Sequence, residues 1–120
     1  MSAGNFDITI DQGSDFTLTL VIKDGNTPRN LTGYSARGHL RASYDTAQYW
    51  AFDFSSTTFD SNGTLIMKMA HNVVANNGNT ALSEGNYVYD VELFKQTDGS
   101  DTEVERIIQG KAKVSREVTR

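Results

Sequence analysis

Residues 86–115, NYVYDVELFKQTDGSDTEVERIIQGKAKVS, constrain the fold more than any other stretch because apolar and polar residues alternate along them. The first half is predicted to point one set of side chains inward, namely Tyr87, Tyr89, Val91 and Leu93. The second half is predicted to do the same with Ile108, Gly110, Ala112 and Val114. A period of two gives each strand one face in a core and one face in water. Since Asp98-Gly99 between the halves is a strong turn signal, the stretch predicts a β-hairpin.

Five earlier segments alternate in the same way, with turn signals such as Asn62-Gly63 between them. These segments are residues 6–10, 16–23, 35–42, 49–54 and 64–69. About seven short strands at regular spacing predict an all-β fold, an antiparallel immunoglobulin-like β-sandwich, with a small closed barrel as the alternative.

Some local details follow from individual residues. Leu31 is predicted to close one end of the core. The inward residues of segment 35–42 are small, which leaves room for large aromatic side chains on the facing layer. Residues 70–76 are compatible with one or two helical turns, which Asn77-Gly78 would end.

Composition excludes several classes of protein. A chain of 120 residues with a formal net charge of −4 and no cysteine fits one domain, residues 1–120, without a disulfide framework. Its interspersed charges argue against nucleic-acid binding. The N-terminus lacks the basic and apolar parts of a signal peptide, and no apolar run approaches the roughly 20 residues of a membrane span. We therefore expect no nucleic-acid partner, no membrane association and synthesis in a cytoplasm.

Residues that could carry catalysis or bind a metal are few and poorly grouped. His39 is predicted outward between two arginines, whose charges disfavour both protonation and a metal. His71 is predicted in a loop without a nearby carboxylate. Asp90 and Glu92 are predicted outward about 7 Å apart, without the cleft that glycosidase chemistry needs. The acidic turn at residues 98–103 lacks the spacing of a calcium loop, so we expect no catalytic residue, metal or cofactor.

Apolar residues on outward positions are the candidates for an interaction surface. Val88, Phe94 and Ile107 are predicted outward on the last hairpin, and Tyr49 is predicted outward on an earlier strand. Clustered exposed apolar residues mark interfaces. Arg106 falls on the inward positions, where its side chain would lie at the rim of the core. Sheet edges are a second candidate, because unpaired peptide groups can bind a partner strand.

Four segments, taken in order, resemble a family of small virion proteins of tailed bacteriophages and prophages. They are IDQG at residues 10–13 followed by Phe16, NLTGYSAR at 30–37, YVYDVE at 87–92, and Gly110 followed by VSREVTR at 114–120. The family includes proteins of T4-like phages and cyanophages, and it is similar to the N-terminal domain of phage baseplate upper proteins. Residues 49–81 depart from the family pattern, so residues 70–85 are either a contact surface particular to this chain or drift.

The resemblance implies a β-sandwich located in the virion, without catalysis or a cofactor. Its partners would be other virion proteins, with a symmetric homo-oligomer as one arrangement. The function it implies is a docking module of the tail or baseplate, with a capsid decoration or neck protein as an alternative. From a different class, a carbohydrate-binding module that stacks sugars on Tyr44 and Tyr49 is the remaining alternative.

Overall fold

A computed structural model describes residues 4–118, and within this range the chain is all-β and contains no helix. Thr119 and Arg120, which end the segment VSREVTR at residues 114–120, lie outside the described residues. The strands are β1 Gly4–Asn5, β2 Ile8–Asp11, β3 Phe16–Val21, β4 Lys23–Asp24, β5 Thr27–Pro28, β6 Ser35–Arg41, β7 Trp50–Ala51, β8 Thr64–Met69, β9 Gly85–Thr97 and β10 Ser100–Ser115. Each predicted segment contains a strand, and the additional strands β1, β4 and β5 have two residues each.

The strands form two facing sheets and one small hairpin. The large sheet has the order β1-β10-β9-β6-β7, and β2 also pairs with β10. The second sheet consists of β3 and β8, and β4 pairs with β5. Both main sheets are open, which confirms the sandwich and rules out the closed barrel. The antiparallel prediction is wrong for the first strands, since β1 and β2 run parallel to β10 at the edge of the large sheet.

One apolar core fills the space between the sheets. Its fully buried side chains are Leu31, Leu40, Leu65, Met67, Val91, Leu93 and Val114. This confirms the inward positions predicted for Val91, Leu93 and Val114 and the predicted place of Leu31 in the core. On β6, Gly38 faces Phe52, and a Cβ at Gly38 would lie 3.2 Å from the Phe52 ring and 2.9 Å from the Asp90 carbonyl oxygen. The Phe52 N–H donates to the Gly38 carbonyl at 2.9 Å, so this ring comes from the chain beside β6 and not from the facing layer as predicted.

The long β9–β10 hairpin contains a β-bulge that changes which residues face the core. Arg106 pairs with Glu92 and Ile108 pairs with Val91, so Ile107 is the extra residue. Ile107 and Ile108 are both buried, with exposed fractions of 5% and 9%. The outward prediction for Ile107 is wrong, and so is the inward prediction for Arg106, because the bulge shifts the alternation by one residue.

The hairpin turn forms as the sequence predicts. Asp98 and Gly99 both have positive φ angles, 53° and 81°, as a two-residue turn of type I′ requires. Asp98 is the one non-glycine residue with positive φ among residues 4–118, and aspartate tolerates that conformation better than most residues.

The helical turns expected at residues 70–76 do not form. A short bridge joins Val74 to Ala81, and the Ala75 N–H donates to the Thr80 carbonyl at 2.8 Å. The Asn76 N–H donates to the Tyr49 carbonyl at 2.9 Å, which ties this loop to the start of β7. These bonds to distant backbone satisfy the peptide groups that a helix would have paired internally.

The N-terminal edge is joined to the sheet by side-chain hydrogen bonds at the gap between β1 and β2. Phe6, which alternates with Asp7 in segment 6–10, is 45% exposed there. Its carbonyl accepts a hydrogen bond from the Tyr89 hydroxyl, and a Cβ at Gly110 would collide with that carbonyl. Asp7 accepts the Lys111 N–H at 2.9 Å and so replaces a missing strand bond. Burial, with Asp7 nearby, raises the pKa of Tyr89 to about 12.

Candidate interaction surface

The outward side chains of β6, β9 and β10 form one broad polar surface, which we call the outer face. Strand register sets three rows across it. The rows are Arg37–Glu92–Arg106, His39–Asp90–Gln109 and Arg41–Val88–Lys111. Residues directly opposite on neighbouring strands lie close enough to interact. The first row alternates cation, carboxylate and cation. The second sets Asp90 between His39 and Gln109, and the third sets two cations beside Val88, so the surface carries mixed charge.

Arg37 is at the centre of the contacts on the upper part of the outer face. Its Nε donates to Glu92 at 2.9 Å and its Nη2 donates to Asp101 at 3.1 Å. Its guanidinium lies 4.4 Å from the centre of the Phe94 ring, a cation–π distance. Hydrogen bonds from Gln96 and then from Arg37 lower the pKa of Asp101. Phe94 thus lies outward, as predicted, but beneath an arginine.

The two outward carboxylates of β9 are each paired with an arginine. Glu92 bonds Arg37, and Asp90 lies 3.3 Å from Nε of Arg106. General acid or base chemistry needs a carboxyl group within reach of a substrate in a site that excludes water. Both carboxylates lie on an open surface, and the arrangement holds opposite charges beside each other at spacings set by the strands.

His39 belongs to an aromatic stack on the lower part of the outer face. Its ring lies 3.8 Å from the Tyr49 ring, with 13° between the ring planes. The Arg41 guanidinium lies 5.0 Å from the centre of the same tyrosine ring. Burial, reinforced by the charge of Arg41, lowers the pKa of His39, so burial disfavours its protonation more than the flanking arginines that the sequence suggested.

His71 has a carboxylate partner that the sequence did not suggest. Asp15 accepts the His71 backbone N–H at 2.8 Å and lies 2.8 Å from Nδ1 of the same residue. These contacts, the backbone hydrogen bond first, lower the pKa of Asp15. The expectation that no carboxylate lies near His71 is therefore wrong, because the turn before β3 reaches the loop after β8. The pair is exposed at 58% and 73%, which indicates a surface contact.

Two shallow, open grooves cross the outer face. One, of about 330 Å³, is lined by His39, Arg41, Tyr44, Asp90 and Arg106 among others. The other, of about 650 Å³, lies beside the N-terminal edge and includes Asp7, Lys111 and Lys113. Val88 lines both grooves and lies between them. Within residues 4–118 no three His, Asp or Glu side chains are grouped as a metal site.

A second polar cluster, which we call the clasp, lies where the β9–β10 hairpin continues beyond the core. Arg29 donates to Glu105 at 2.8 Å, and both side chains are largely buried, at 12% and 25% exposure. The Tyr34 hydroxyl bonds Glu103, and Nζ of Lys95 lies 4.4 Å from the Tyr34 ring centre. The hydrogen bond from Arg29 lowers the pKa of Glu105, and Glu105 in turn raises that of Arg29.

The four residues singled out for an interface fall in two different environments. Val88, Phe94 and Tyr49 are half-buried within the outer face, whereas Ile107 is in the core. The large apolar side chains that are exposed come from separate segments: Phe6, Val21, Tyr44, Val74, Val104 and Val118. Sequence reasoning missed the clasp entirely, since no local pattern links Arg29 to a glutamate 76 residues away.

Comparison with known proteins gives no family assignment. A scan against protein-family models and a search of the curated proteins each found no match to this chain. Residues 4–118 contain no helix that is long and apolar enough to cross a bilayer.

Proposed function

We propose that this chain is a non-catalytic structural protein of a bacteriophage particle, a β-sandwich module that docks on other virion proteins in the tail or baseplate. The observation that carries the proposal is the outer face. It presents Arg37 and Arg106 beside carboxylates, and Arg41 over the Tyr49 ring, at spacings fixed by strand register. Arginine is enriched at protein interfaces, and complementary charge patterns give partner specificity.

The phage-like segments supply residues both to the core and to this surface. In segment 30–37, Leu31 closes the core, Tyr34 belongs to the clasp and Arg37 belongs to the outer face. In segment 87–92, Asp90 and Glu92 supply the carboxylates of the outer face. The resemblance therefore extends to residues of the proposed docking surface, which a resemblance of core positions alone would not do.

The alternatives differ in location or in ligand. A capsid decoration or neck protein would use the same surface at another position in the particle. A carbohydrate-binding module needs coplanar exposed aromatic rings. Tyr44 is 80% exposed, but Tyr49 is stacked on His39 and lies against Arg41, so the two tyrosines do not offer a shared free platform.

Mass spectrometry of purified particles tests the proposal directly. Particles produced by a phage or prophage that encodes this chain are expected to contain its peptides in a fixed ratio to the tail proteins. Antibody labelling seen by electron microscopy then separates tail or baseplate from capsid or neck. Particles free of the chain would refute the structural role.

A variant on the outer face tests which surface docks. Phe94→Ala is expected to reduce incorporation into particles while the melting temperature changes little, because Phe94 lies outside the core. Ser56→Ala, a substitution at an exposed turn residue outside both the outer face and residues 70–85, is the control and is expected to assemble normally. Normal incorporation of the Phe94 variant would place docking elsewhere on the module.

A further inference from the structure

Strand β3 has one paired edge and one open edge. It pairs with β8 from Phe16 opposite Met69 to Val21 opposite Thr64, and within residues 4–118 no other strand pairs with it. The Ile22 N–H donates to the Gly63 carbonyl at 2.8 Å on the β8 side. Because successive peptide groups of a strand point to opposite sides, those of Thr17, Thr19 and Val21 point to the open edge.

The β4–β5 hairpin does not cover this open edge. The Ile22 carbonyl accepts the Arg29 N–H at 2.8 Å, and the Ile22 N–H donates to the Gly63 carbonyl. Since both groups of one strand residue point the same way, the hairpin lies on the β8 side. The edge is therefore open from the start of β3 into Lys23.

The inward side chains beside the open edge are incompletely covered. Their cross-strand partners on β8 are at most 2% exposed, whereas the β3 side chains are only half-buried. The pairs are Phe16 with Met69, Leu18 with Met67 and Leu20 with Leu65. An added strand with apolar residues facing the core would complete the burial of this row.

Strand β3 also lacks the features that usually block edge-to-edge pairing. Residues 16–21, FTLTLV, contain no charge and no proline, and the register with β8 has no bulge. The neighbouring short strands β4 and β5 carry Lys23, Asp24 and Pro28 instead. Strand β3 therefore has the longest open edge in the second sheet and carries no feature that would block pairing with another strand.

We propose that β3 pairs antiparallel with β3 of a second copy of this chain, about a two-fold axis at Thr19. Charge complementarity identifies the occupant. The strand is preceded by Asp15 and followed, after Ile22, by Lys23, and both are exposed. Asp15 bonds His71 through Oδ1, whereas its Oδ2 accepts no hydrogen bond within residues 4–118 and can face a lysine. Pairing centred on Thr19 sets each aspartate opposite the lysine of the other copy.

The same register satisfies the peptide groups and the apolar row together. Thr17 pairs with Val21 of the second copy and Thr19 pairs with itself, which are positions whose peptide groups point to the open edge. On the inner side, Leu18 meets Leu20 and Phe16 meets Ile22, which buries the half-covered row. Shifting the pairing by two residues in either direction keeps the hydrogen bonds but sets Asp15 or Lys23 opposite an uncharged residue.

Sedimentation velocity of the whole chain over a concentration series tests the proposal. The chain is expected to pass from monomer to dimer, and Thr19→Lys is expected to raise the dissociation constant by at least about tenfold, since two lysines would face each other at the axis. Thr9→Lys, at an exposed threonine of edge strand β2, is the control and should dimerise normally. A chain that stays monomeric, or a dimer indifferent to Thr19→Lys, would overturn the pairing.

Charge exchange and amide exchange keep the test valid if one variant folds poorly. Lys23→Glu is expected to weaken the dimer, and the double variant Asp15→Lys, Lys23→Glu is expected to restore it. Lys111→Glu on the other sheet is expected to have no effect.

The amide hydrogens of Thr17, Thr19 and Val21 are expected to gain protection from exchange as concentration rises. Dimers in which these three amides stay unprotected would contradict the inference, which holds for the isolated chain whatever its role in a particle.

Discussion

The two halves of the β9–β10 hairpin are built from the same kind of strand and are held in different ways. The hairpin base, residues 85–93 with 107–115, buries its inward row: Tyr87, Tyr89, Val91 and Leu93 are at most 7% exposed. The hairpin tip, residues 94–106, extends past the core, and its inward row ends in Glu105 and Glu103, which bond Arg29 and Tyr34. The bulge at Ile107 separates the two halves.

The difference shows how one hairpin can act as both core and projection. Apolar burial at the base is non-directional and does not depend on the protonation of side chains. Hydrogen-bonded charges at the tip are directional, and part of their contribution depends on protonation and ionic strength. The base is therefore expected to determine whether the chain folds, and the tip to determine how its surface is presented.

The largest expected effect is at the boundary between the halves. Ile107→Ala is expected to lower the free energy of unfolding by about 2–5 kcal/mol, because it removes buried side-chain volume. The control is Val104→Ala, three residues away on the tip and 46% exposed, with an expected loss below about 1 kcal/mol. Chemical denaturation measures both. Equal, small losses would mean that Ile107 faces outward and that the bulge is absent.

Periodicity predicted the base well and failed at the bulge for a physical reason. Alternation reports which residues are buried as long as the register is unbroken, and this holds from Tyr87 to Leu93 and from Ile108 to Val114. The adjacent isoleucines Ile107 and Ile108 break the alternation, and that break was the available signal of an extra residue. Once the bulge is taken into account, the alternation places Arg106 outward, where it contacts Asp90.

Contacts between distant segments could not be predicted from the sequence. The Arg29–Glu105 and Asp15–His71 pairs span 76 and 56 residues, and one charged residue among many gives no indication of its partner. Strand direction is equally hidden, because a parallel β2 has the same alternation as an antiparallel one. Individual outward residues were therefore predictable, but their partners on the outer face were not.

The intermediate effect is a pH dependence located in the tip. The pKa of Glu105 lies below its ordinary value of 4.5 in the folded chain, mainly through the hydrogen bond from Arg29. A depressed folded pKa gives stability that is present above the unfolded pKa and is lost as pH falls through the folded value. Glu105→Gln is expected to cost about 2 kcal/mol at pH 7, and this difference from the original chain should shrink as pH falls below 4.5.

Glu84→Gln, at an exposed glutamate just before the hairpin, is the control for that titration. Its free energy of unfolding at pH 7 is expected to lie within about 0.5 kcal/mol of the original chain, because its side chain is exposed. A Glu105 variant that runs parallel to the original chain at every pH would mean that Arg29 does not favour the charged form of this carboxylate.

The smallest effect is expected on the outer side of the tip, where Arg37 covers Phe94. Arg37 is 37% exposed, so its ion pairs with Glu92 and Asp101 compete with water and salt. Arg37→Ala is expected to lower the free energy of unfolding by no more than about 1 kcal/mol, and less in high salt. Arg37→Met keeps an apolar chain over the ring and removes the charge, so urea denaturation of both variants separates packing from ion pairing. A loss as large as that of Ile107→Ala would mean that the outer side of the tip contributes to folding as much as the base does, and the contrast between the two halves would then fail.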